Sequence, residues 1–381
     1  MSTIVDTAPL VLDVGVVLLI AATMGFTARK LGLPAVIGYL VTGLMVSPFT
    51  PGYVASSDQL SILADIGVVL LLFEVGIEID LKRIKSEHKS LLWGAPVQVL
   101  LGLAIGTPIF LWMGIPRLGA LLLALSLAMS SSVVIVNITR SKRRKTDTQT
   151  EDGLIVWSVI QDITGVTCAA FILTFFGASE KPLPIALGGL IAFIAIAYLA
   201  AQTIPRVLRA VRWENDLFLI YSVSIGLTIA ALGTVVFDIP MALAGFVAGL
   251  AINQSRDTDE VRRAVLPFRD LFAVLFFVVI GSLIEPSQLK QAWPFALALL
   301  GLLIALKTIP SMILARLGKL KVRYTQFGIG LSQLGEFSFV LGTVAYSQKA
   351  ITHPQFVGIL LAVVLSIMGS TLLIRLVPRK T

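Results

Sequence analysis

The chain has 381 residues, of which 56% are hydrophobic and only 14% are charged. So apolar a composition excludes a water-soluble globular domain of this length and indicates an all-α polytopic membrane protein. The net charge of +8 does not indicate a nucleic-acid partner, because the basic residues lie in short segments between apolar runs, where membrane lipid is the better partner. We expect no cofactor and no enzymatic activity.

Hydropathy windows of about 19 residues predict 13 transmembrane helices. They lie near residues 10–28, 34–49, 59–80, 90–112, 117–139, 152–176, 184–204, 216–236, 239–254, 270–285, 293–315, 325–347 and 355–375. Alternate connections hold 25 of the 30 Lys and Arg residues, and the opposite connections hold 4. This asymmetry predicts that the N-terminus lies outside and the C-terminus lies in the cytoplasm. The predicted location is the cell (inner) membrane.

Two pairs of neighbouring spans repeat each other in sequence. The first pair is LPAVIGYLVTGL (33–44) with IPMALAGFVAGL (239–250), and the second is VLLLFEVGIEID (69–80) with VLFFVVIGSLIE (274–285). The aligned glycines are Gly43 with Gly249 and Gly76 with Gly281. Because the copies lie an odd number of spans apart, they are predicted to be two inverted-topology repeats. Such repeats are typical of secondary transporters, whose sites lie near the membrane midplane.

Polar residues interrupt two of the apolar spans. The fifth span contains SLAMSSSVVIV (126–136), with Ser130, Ser131 and Ser132 at its centre, and the twelfth contains GIGLSQLGEFSF (328–339). We expect two broken helices that cross at mid-membrane, because their free ends offer carbonyl groups to a cation and amides to a carboxylate. Helix packing through small residues is the alternative explanation.

Two spans carry a charged residue far from either membrane surface. These are Asp162 in WSVIQDITGVT and Lys307 in LLIALKTIPSM. A charge at mid-bilayer costs about 3 kcal/mol or more, so such residues are candidates for function. Because a buried carboxylate and a buried ammonium each need a partner, we predict that the two pair. The pair is either a proton switch or a salt bridge that only fixes the helix register.

A single carboxylate in this position predicts exchange of a monovalent cation for a proton. Asp162, helped by the amide of Gln161 and by the three serine hydroxyls, is expected to bind either an alkali cation or a proton, each displacing the other. Glu336 is expected to balance Lys307 or to accept a proton, with a structural hydrogen bond as the alternative. The alternative hypotheses for the function are a sodium-coupled organic-anion symporter and a channel. An aspartyl protease is excluded, because the chain lacks a GxGD motif.

Six segments together resemble the cation:proton antiporter-2 family, which includes the Kef-type potassium efflux antiporters. They span nearly the whole chain and follow the order found in the family. The segments are LGLPAVIGYLVTGLMVSP (31–48), DIGVVLLLFEVGIEID (65–80), LSLAMSSSVVIV (125–136), VIQDITGV (159–166), FFVVIGSLIEP (276–286) and LSQLGEFSFVLG (331–342). The resemblance implies a sodium/proton antiporter-like fold and monovalent cation:proton antiport.

The same resemblance implies a homodimer that works by an elevator motion. The implied parts are scaffold helices near 10–80 and 216–285, a moving core near 90–176 and 293–375, and a linker helix near 184–204. The resemblance also assigns Asp162 as the ion- and proton-binding carboxylate and Lys307 as its partner in the core.

Two departures, the first from the Kef-type pattern, bear on function. No GxGxxG segment follows the last span, so we predict no cytoplasmic regulatory domain, and a separate regulatory subunit would have to supply nucleotide or glutathione gating. The second departure is from the electrogenic sodium exchangers. The residue before Asp162 is Gln161, as in Kef-type members, whereas electrogenic sodium exchangers have a second acidic residue at that position. A single carboxylate favours electroneutral exchange and K⁺ over Na⁺, with an Na⁺-selective antiporter as the alternative.

Overall fold

The computed structural model describes residues 8–51, 53, 57–78, 89–131, 134–135, 146–177, 183–237, 239–253 and 258–376. All regular secondary structure in these ranges is helical, which confirms the predicted all-α fold. The helices are α1 (Ala8–Lys30), α2 (Ala35–Met45), α3 (Ser57–Glu78), α4 (Lys89–Trp112), α5 (Arg117–Ala128), α6 (Thr148–Phe176), α7 (Leu183–Val211), α8 (Asn215–Phe237), α9 (Met241–Asn253), α10 (Thr258–Ser282), α11 (Leu289–Leu303), α12 (Ile309–Leu317), α13 (Tyr324–Leu331), α14 (Phe337–Ser347) and α15 (His353–Leu376).

The helices have the length and composition of membrane-spanning segments. In the described ranges, 9 helical segments are long and apolar enough to cross a bilayer, and four shorter apolar helices accompany them. Large apolar side chains are exposed on the helix surfaces, as for Val235 at 81%, where lipid replaces water as the solvent. The chain is therefore a multi-pass membrane protein, while the exact count of 13 spans and the inverted repeat stay predictions.

The chain divides into two compact units, each built from two separate stretches of sequence. Unit 1 comprises Met1–Ile79 and Gly188–Pro286, and unit 2 comprises Asp80–Leu187 and Ser287–Thr381. In unit 1, α10 packs against α2 and α3, α9 packs against α3 and α8, and α1 packs against α2. In unit 2, α4 packs against α5 and α6, α11 against α15, and α14 against α5.

Glycines allow two pairs of helices in unit 1 to cross at close range. A methyl group at Gly43 of α2 would lie 2.0 Å from the main-chain oxygen of Val278 in α10, and one at Gly249 of α9 would lie 2.1 Å from that of Phe73 in α3. These separations exclude any side chain, so the main chains touch. All four glycines that the sequence alignment pairs lie at these two crossings.

The start of α10 differs from the sequence prediction, which began this span at residue 270. The helix begins at Thr258, so Arg262 and Arg269 lie on it rather than in a loop. Arg262 contacts Glu74 at 2.9 Å and Glu78 at 2.7 Å, and Arg269 approaches Glu74 at 3.7 Å. Glu74 and Glu78 lie four residues apart on one helical face of α3, and both bind arginine. These ion pairs join α3 to α10.

Candidate functional site

The first interrupted helix of unit 2 stops in the serine-rich segment. Helix α5 ends at Ala128, and Met129 has an extended main chain with φ −95° and ψ 141°. Beyond the break, the amide of Val134 donates to the side-chain oxygen of Ser131 at 3.2 Å, and the amide of Ile135 donates to the main-chain oxygen of Ser131 at 3.1 Å. A side-chain oxygen that accepts from the amide three residues along bonds in the manner of a helix N-cap. The break leaves main-chain carbonyl groups without helical partners.

The second interrupted helix lies in the glycine-rich segment. Helix α13 ends at Leu331, Ser332 leaves the helical region with φ −77° and ψ 56°, and α14 begins at Phe337. The amide of Leu334, which is inside the gap, donates to the hydroxyl of Ser366 on α15 at 3.0 Å. A side chain from a neighbouring helix thus satisfies a main-chain group freed by the break, as membrane burial requires.

The two interruptions meet and bond to each other. The hydroxyl of Ser130 donates to the main-chain oxygen of Leu331 at 3.0 Å. The amide of Gly335 donates to the main-chain oxygen of Met129 at 3.3 Å. The first bond joins the break after α5 to the last residue of α13, and the second joins the two gaps. The contact therefore fixes polar main chain from both helices at one buried point.

Lys307 lies on a widened helical turn between α11 and α12. The turn, Ile304–Thr308, is π-helical, and the amide of Ile309 bonds to the oxygen of Ile304, five residues back. Pro310 follows directly and lacks an amide hydrogen, so the regular bonding pattern cannot continue through this turn. Such π-turns occur often at functional sites. The sequence signal for it is the proline three residues after the lysine.

The ammonium group of Lys307 binds the oxygens freed by the two breaks. Its Nζ donates to the main-chain oxygen of Met129 at 2.7 Å and to that of Gln333. The side chain has no exposed surface, and Asp162 interacts with it electrostatically. A buried charge is tolerated when its donors are satisfied and an opposite charge is near. The two predicted charges therefore share one environment.

Asp162 is positioned by the packing of α6, on which it is 6% exposed. The helix is capped by Asp147, whose carboxylate accepts from the amide of Thr150 at 2.9 Å. Trp157, five residues before Asp162, is fully buried and packs edge-on against Phe327 of α13, with ring centroids 5.3 Å apart. This aromatic contact holds the middle of α6 against the second interrupted helix.

Gln161 joins three elements of unit 2. Its amide nitrogen donates to the side-chain oxygen of Gln98 on α4 and, at 3.2 Å, to the main-chain oxygen of Ala128, the last residue of α5. Gln98, Gln161 and Gln333 have no exposed surface. The side-chain nitrogen of Gln333 donates to the main-chain oxygen of Ser131 at 3.2 Å, so the Gln333 side chain also bridges the two breaks.

Most of the predicted site residues come together in unit 2. Ser130 and Ser131 are 2% and 4% exposed at the first break, whereas Ser132 lies outside the described residues. Glu336 is half-buried and precedes α14. The hydrogen bonds described for Lys307 go to main-chain oxygens, so a pairing of Lys307 with Glu336 stays a prediction.

Two contributions to the site were missing from the sequence-based prediction. Gln98 is a polar residue within the apolar helix α4, which was a usable signal. The main-chain oxygen of Met129 has no signal in residue identity, because every residue has a carbonyl group. Its role follows only from the place where the helix stops.

The chain is similar in sequence to a known family of membrane proteins. The profile of the family described as "Sodium/hydrogen exchanger, transmembrane" matches residues 15–377. Escherichia coli (strain K12) YbaL, described as a candidate cation/proton antiporter, is 29% identical over 385 residues, which cover 97% of this chain and 69% of YbaL.

Two solved structures share the fold. One is the sodium proton antiporter MjNhaP1 from Methanocaldococcus jannaschii at pH 8, with a TM-score of 0.71, 17% identity, and coverage of 98% of this chain and 100% of that chain. The other, an electron-microscopy map of MjNhaP1, has a TM-score of 0.63, 18% identity, and coverage of 95% and 93%.

An all-helical membrane fold, with two interrupted helices meeting beside a buried lysine and aspartate, defines the class of secondary cation transporters. Within that class, the chain belongs to the sodium/hydrogen exchanger family and is a cation/proton antiporter. The family resemblance read from the sequence segments is thereby confirmed.

Proposed function

We propose that the protein exchanges K⁺, in preference to Na⁺, for H⁺, and that the cation and the proton compete for Asp162. The contacts of Lys307 carry this proposal, because its ammonium group already binds the two main-chain oxygens that the breaks expose. A site that holds one buried cationic group through oxygens has suitable donor chemistry for a hard alkali cation. We propose transport, not enzymatic turnover, as the whole activity.

In the proposed cycle, Asp162 changes partners. When the site is empty, Lys307 supplies the counter-charge of the ionised carboxylate. An incoming cation binds the carboxylate with help from Gln161, Ser130 and Ser131. Because the cation and the ammonium repel each other, the carboxylate must exchange one for the other. A proton then displaces the cation, and Glu336 is the further candidate to receive a proton or to balance Lys307.

We propose that one cation is exchanged for one proton. A single carboxylate takes up either species but not both, so the net charge moved in a full cycle is zero. Gln161 stands where a second acid would otherwise provide another charge, and this supports the preference for K⁺. Na⁺-selective exchange is the second candidate, because MjNhaP1, which shares the fold, is named a sodium proton antiporter.

We propose that unit 2 moves during transport while unit 1 serves as scaffold and homodimer surface, in an elevator mechanism. All described members of the candidate site belong to unit 2, which supports a site carried as one body. The proposed location is the cell (inner) membrane, with the N-terminus outside and the C-terminus cytoplasmic. Membrane lipid and a separate cytoplasmic regulatory subunit are further proposed partners.

Exchange in proteoliposomes tests the function. An imposed pH gradient, read by a pH-sensitive dye, should dissipate on addition of K⁺, more weakly on addition of Na⁺, and should not require an organic solute. A titration across Li⁺, Na⁺, K⁺ and Rb⁺ at two pH values ranks the cations. No response to any of them would overturn the proposal, and dissipation that needs an organic anion would support a symporter instead.

A further inference from the structure

Two buried side-chain amides face each other beside the candidate ion site. Gln98 on α4 and Gln161 on α6 are both fully buried, and the Gln161 nitrogen donates to the Gln98 side-chain oxygen. The two residues are 63 positions apart in sequence, so this contact depends on the packing of α4 against α6. Buried amides are costly unless they are bonded, so a pair of them in an apolar unit requires an explanation.

The orientation of the Gln161 amide follows from its neighbours. The oxygen and nitrogen of a glutamine are assigned from the hydrogen-bond network. The main-chain oxygen of Ala128, 3.2 Å away, accepts only, so the atom that faces it must be the Gln161 nitrogen. Gln98 must then turn its oxygen toward the same nitrogen. Together the two acceptors direct the Gln161 oxygen to the opposite side.

That oxygen has no hydrogen-bond partner among the residues that the structure describes. It belongs to the residue next to Asp162, and it is a neutral acceptor without exposed surface. An amide oxygen is a ligand type that alkali cations accept. Other buried polar atoms of the described residues also lack a partner, the nitrogen of Gln98 among them. The Gln161 amide, however, bonds to Ala128, the residue before Met129, whose oxygen binds Lys307. This position at the break is what points to a ligand contact for the Gln161 oxygen.

We propose that Gln98 is a positioning residue, which holds the side-chain oxygen of Gln161 as a ligand for the transported cation and thereby sets discrimination between alkali cations. This inference rests on the proposed exchange at Asp162 and assigns Gln98 a part in it. Selectivity among alkali cations depends on the number and the placement of oxygen ligands. If Gln98 is lost, one of the two acceptors that fix the Gln161 amide disappears, and the ligand oxygen is free to turn away.

The test compares substitutions at Gln98 with a matched control on the same helix. Gln98→Met removes the acceptor at similar size, Gln98→Asn keeps a polar group that is too short to reach, and Gln98→Glu keeps an acceptor oxygen. Ser90→Ala is the control, because Ser90 is also buried on α4 and donates to the oxygen of Gly318 at 2.7 Å. Each variant is assayed for K⁺ and Na⁺ half-saturation and maximal rate in proteoliposomes.

We expect Gln98→Met and Gln98→Asn to raise the half-saturating K⁺ concentration about five- to tenfold, as the loss of one buried hydrogen bond predicts. The ratio between K⁺ and Na⁺ should change, while maximal rates stay within about twofold. Gln98→Glu should restore half-saturation to the wild-type value or below it, and Ser90→Ala should leave it unchanged. Wild-type half-saturation in Gln98→Met or Gln98→Asn, or an equal shift in Ser90→Ala, would overturn the inference.

A binding measurement separates this inference from the proposed function. The thermal stability of the purified protein is measured as K⁺ replaces choline, because a ligand of the folded state raises the transition temperature. If wild-type protein shows no exchange but is stabilised by K⁺, the exchange proposal fails. The inference then still holds when Gln98→Met weakens that stabilisation. It is overturned when K⁺ stabilises the two proteins equally, or stabilises neither.

Discussion

The side-chain nitrogen of Lys307 lies 2.7 Å from the main-chain oxygen of Met129, the first residue beyond the end of α5. The lysine therefore completes the bonding of a main chain that the break has opened. The same group binds the oxygen of Gln333 in the other break and interacts with Asp162. One ammonium group thus links both interrupted helices through hydrogen bonds and lies within electrostatic range of the candidate carboxylate.

Replacing Lys307 should lower stability more than replacing an exposed lysine. In Lys307→Met, two buried main-chain oxygens lose a charged donor and the Asp162 carboxylate loses its counter-charge, so we expect a loss of about 3 kcal/mol. Thermal unfolding of the purified protein measures it. Lys290→Met is the control, because Lys290 is exposed on α11 of the same unit and should show no change. Equal stability of the two variants would contradict the role given to Lys307.

The coupling between Lys307 and Asp162 should appear as a non-additive pair. Asp162→Asn removes the carboxylate charge that Lys307→Met leaves without its partner, so the double variant should be less destabilised than the sum of the two single variants. We expect a coupling of about 1–3 kcal/mol in thermal or denaturant unfolding. If the effects add within about 0.5 kcal/mol, the two charges do not interact, and the shared site is refuted.

The arginine contacts between α3 and α10 should matter for stability. Glu74 is 4% exposed and binds Arg262, so Arg262→Ala should cost about 1–3 kcal/mol by leaving this buried carboxylate poorly paired. Arg262→Lys should recover only part, because one ammonium cannot match the fork that spans Glu74 and Glu78. Arg263→Ala removes an exposed neighbour and is expected to have no effect. Equal losses in Arg262→Ala and Arg263→Ala would indicate a nonspecific charge effect.

The glycine crossings predict a large effect from a single methyl group. Gly249→Ala would place a carbon 2.1 Å from the main-chain oxygen of Phe73, so α9 and α3 must separate, and we expect little folded protein by size-exclusion chromatography. Gly15→Ala on α1 is the matched control, since nothing lies within 4 Å of the added methyl group. A helical glycine to alanine change in open space costs nothing and gains up to about 1 kcal/mol. Normal yield and stability of Gly249→Ala would contradict the close crossing.

The fold and the main charges were accessible from sequence because they depend on composition. Asp162 and Lys307 stand out in apolar runs, and the three serines mark the first break, since these residues are rare where water is absent. Membrane burial makes such signals strong. The same reasoning yields the all-helical fold, because main-chain groups in lipid must bond within their own helix.

The remaining features depend on relations between segments that hydropathy does not contain. Hydropathy predicts Arg262 in a loop because the residue is charged. In the structure it lies on α10, where its charge is paired with Glu74 and Glu78. The π-turn at Lys307 shifts the side chain by a fraction of a turn, which span prediction cannot resolve. Gln98 reaches Gln161 only through the packing of α4 against α6.

Competition between the cation and the proton for Asp162 is tested most directly by the pH dependence of cation half-saturation. We predict that the half-saturating K⁺ concentration in proteoliposomes rises about tenfold for each pH unit on the acidic side, because each unit lowers the fraction of ionised, cation-competent sites about tenfold. The maximal rate at saturating K⁺ should stay nearly constant there. Asp162→Asn should abolish exchange while the protein still inserts and folds. A half-saturation that is independent of pH, or retained exchange in Asp162→Asn, would contradict the account.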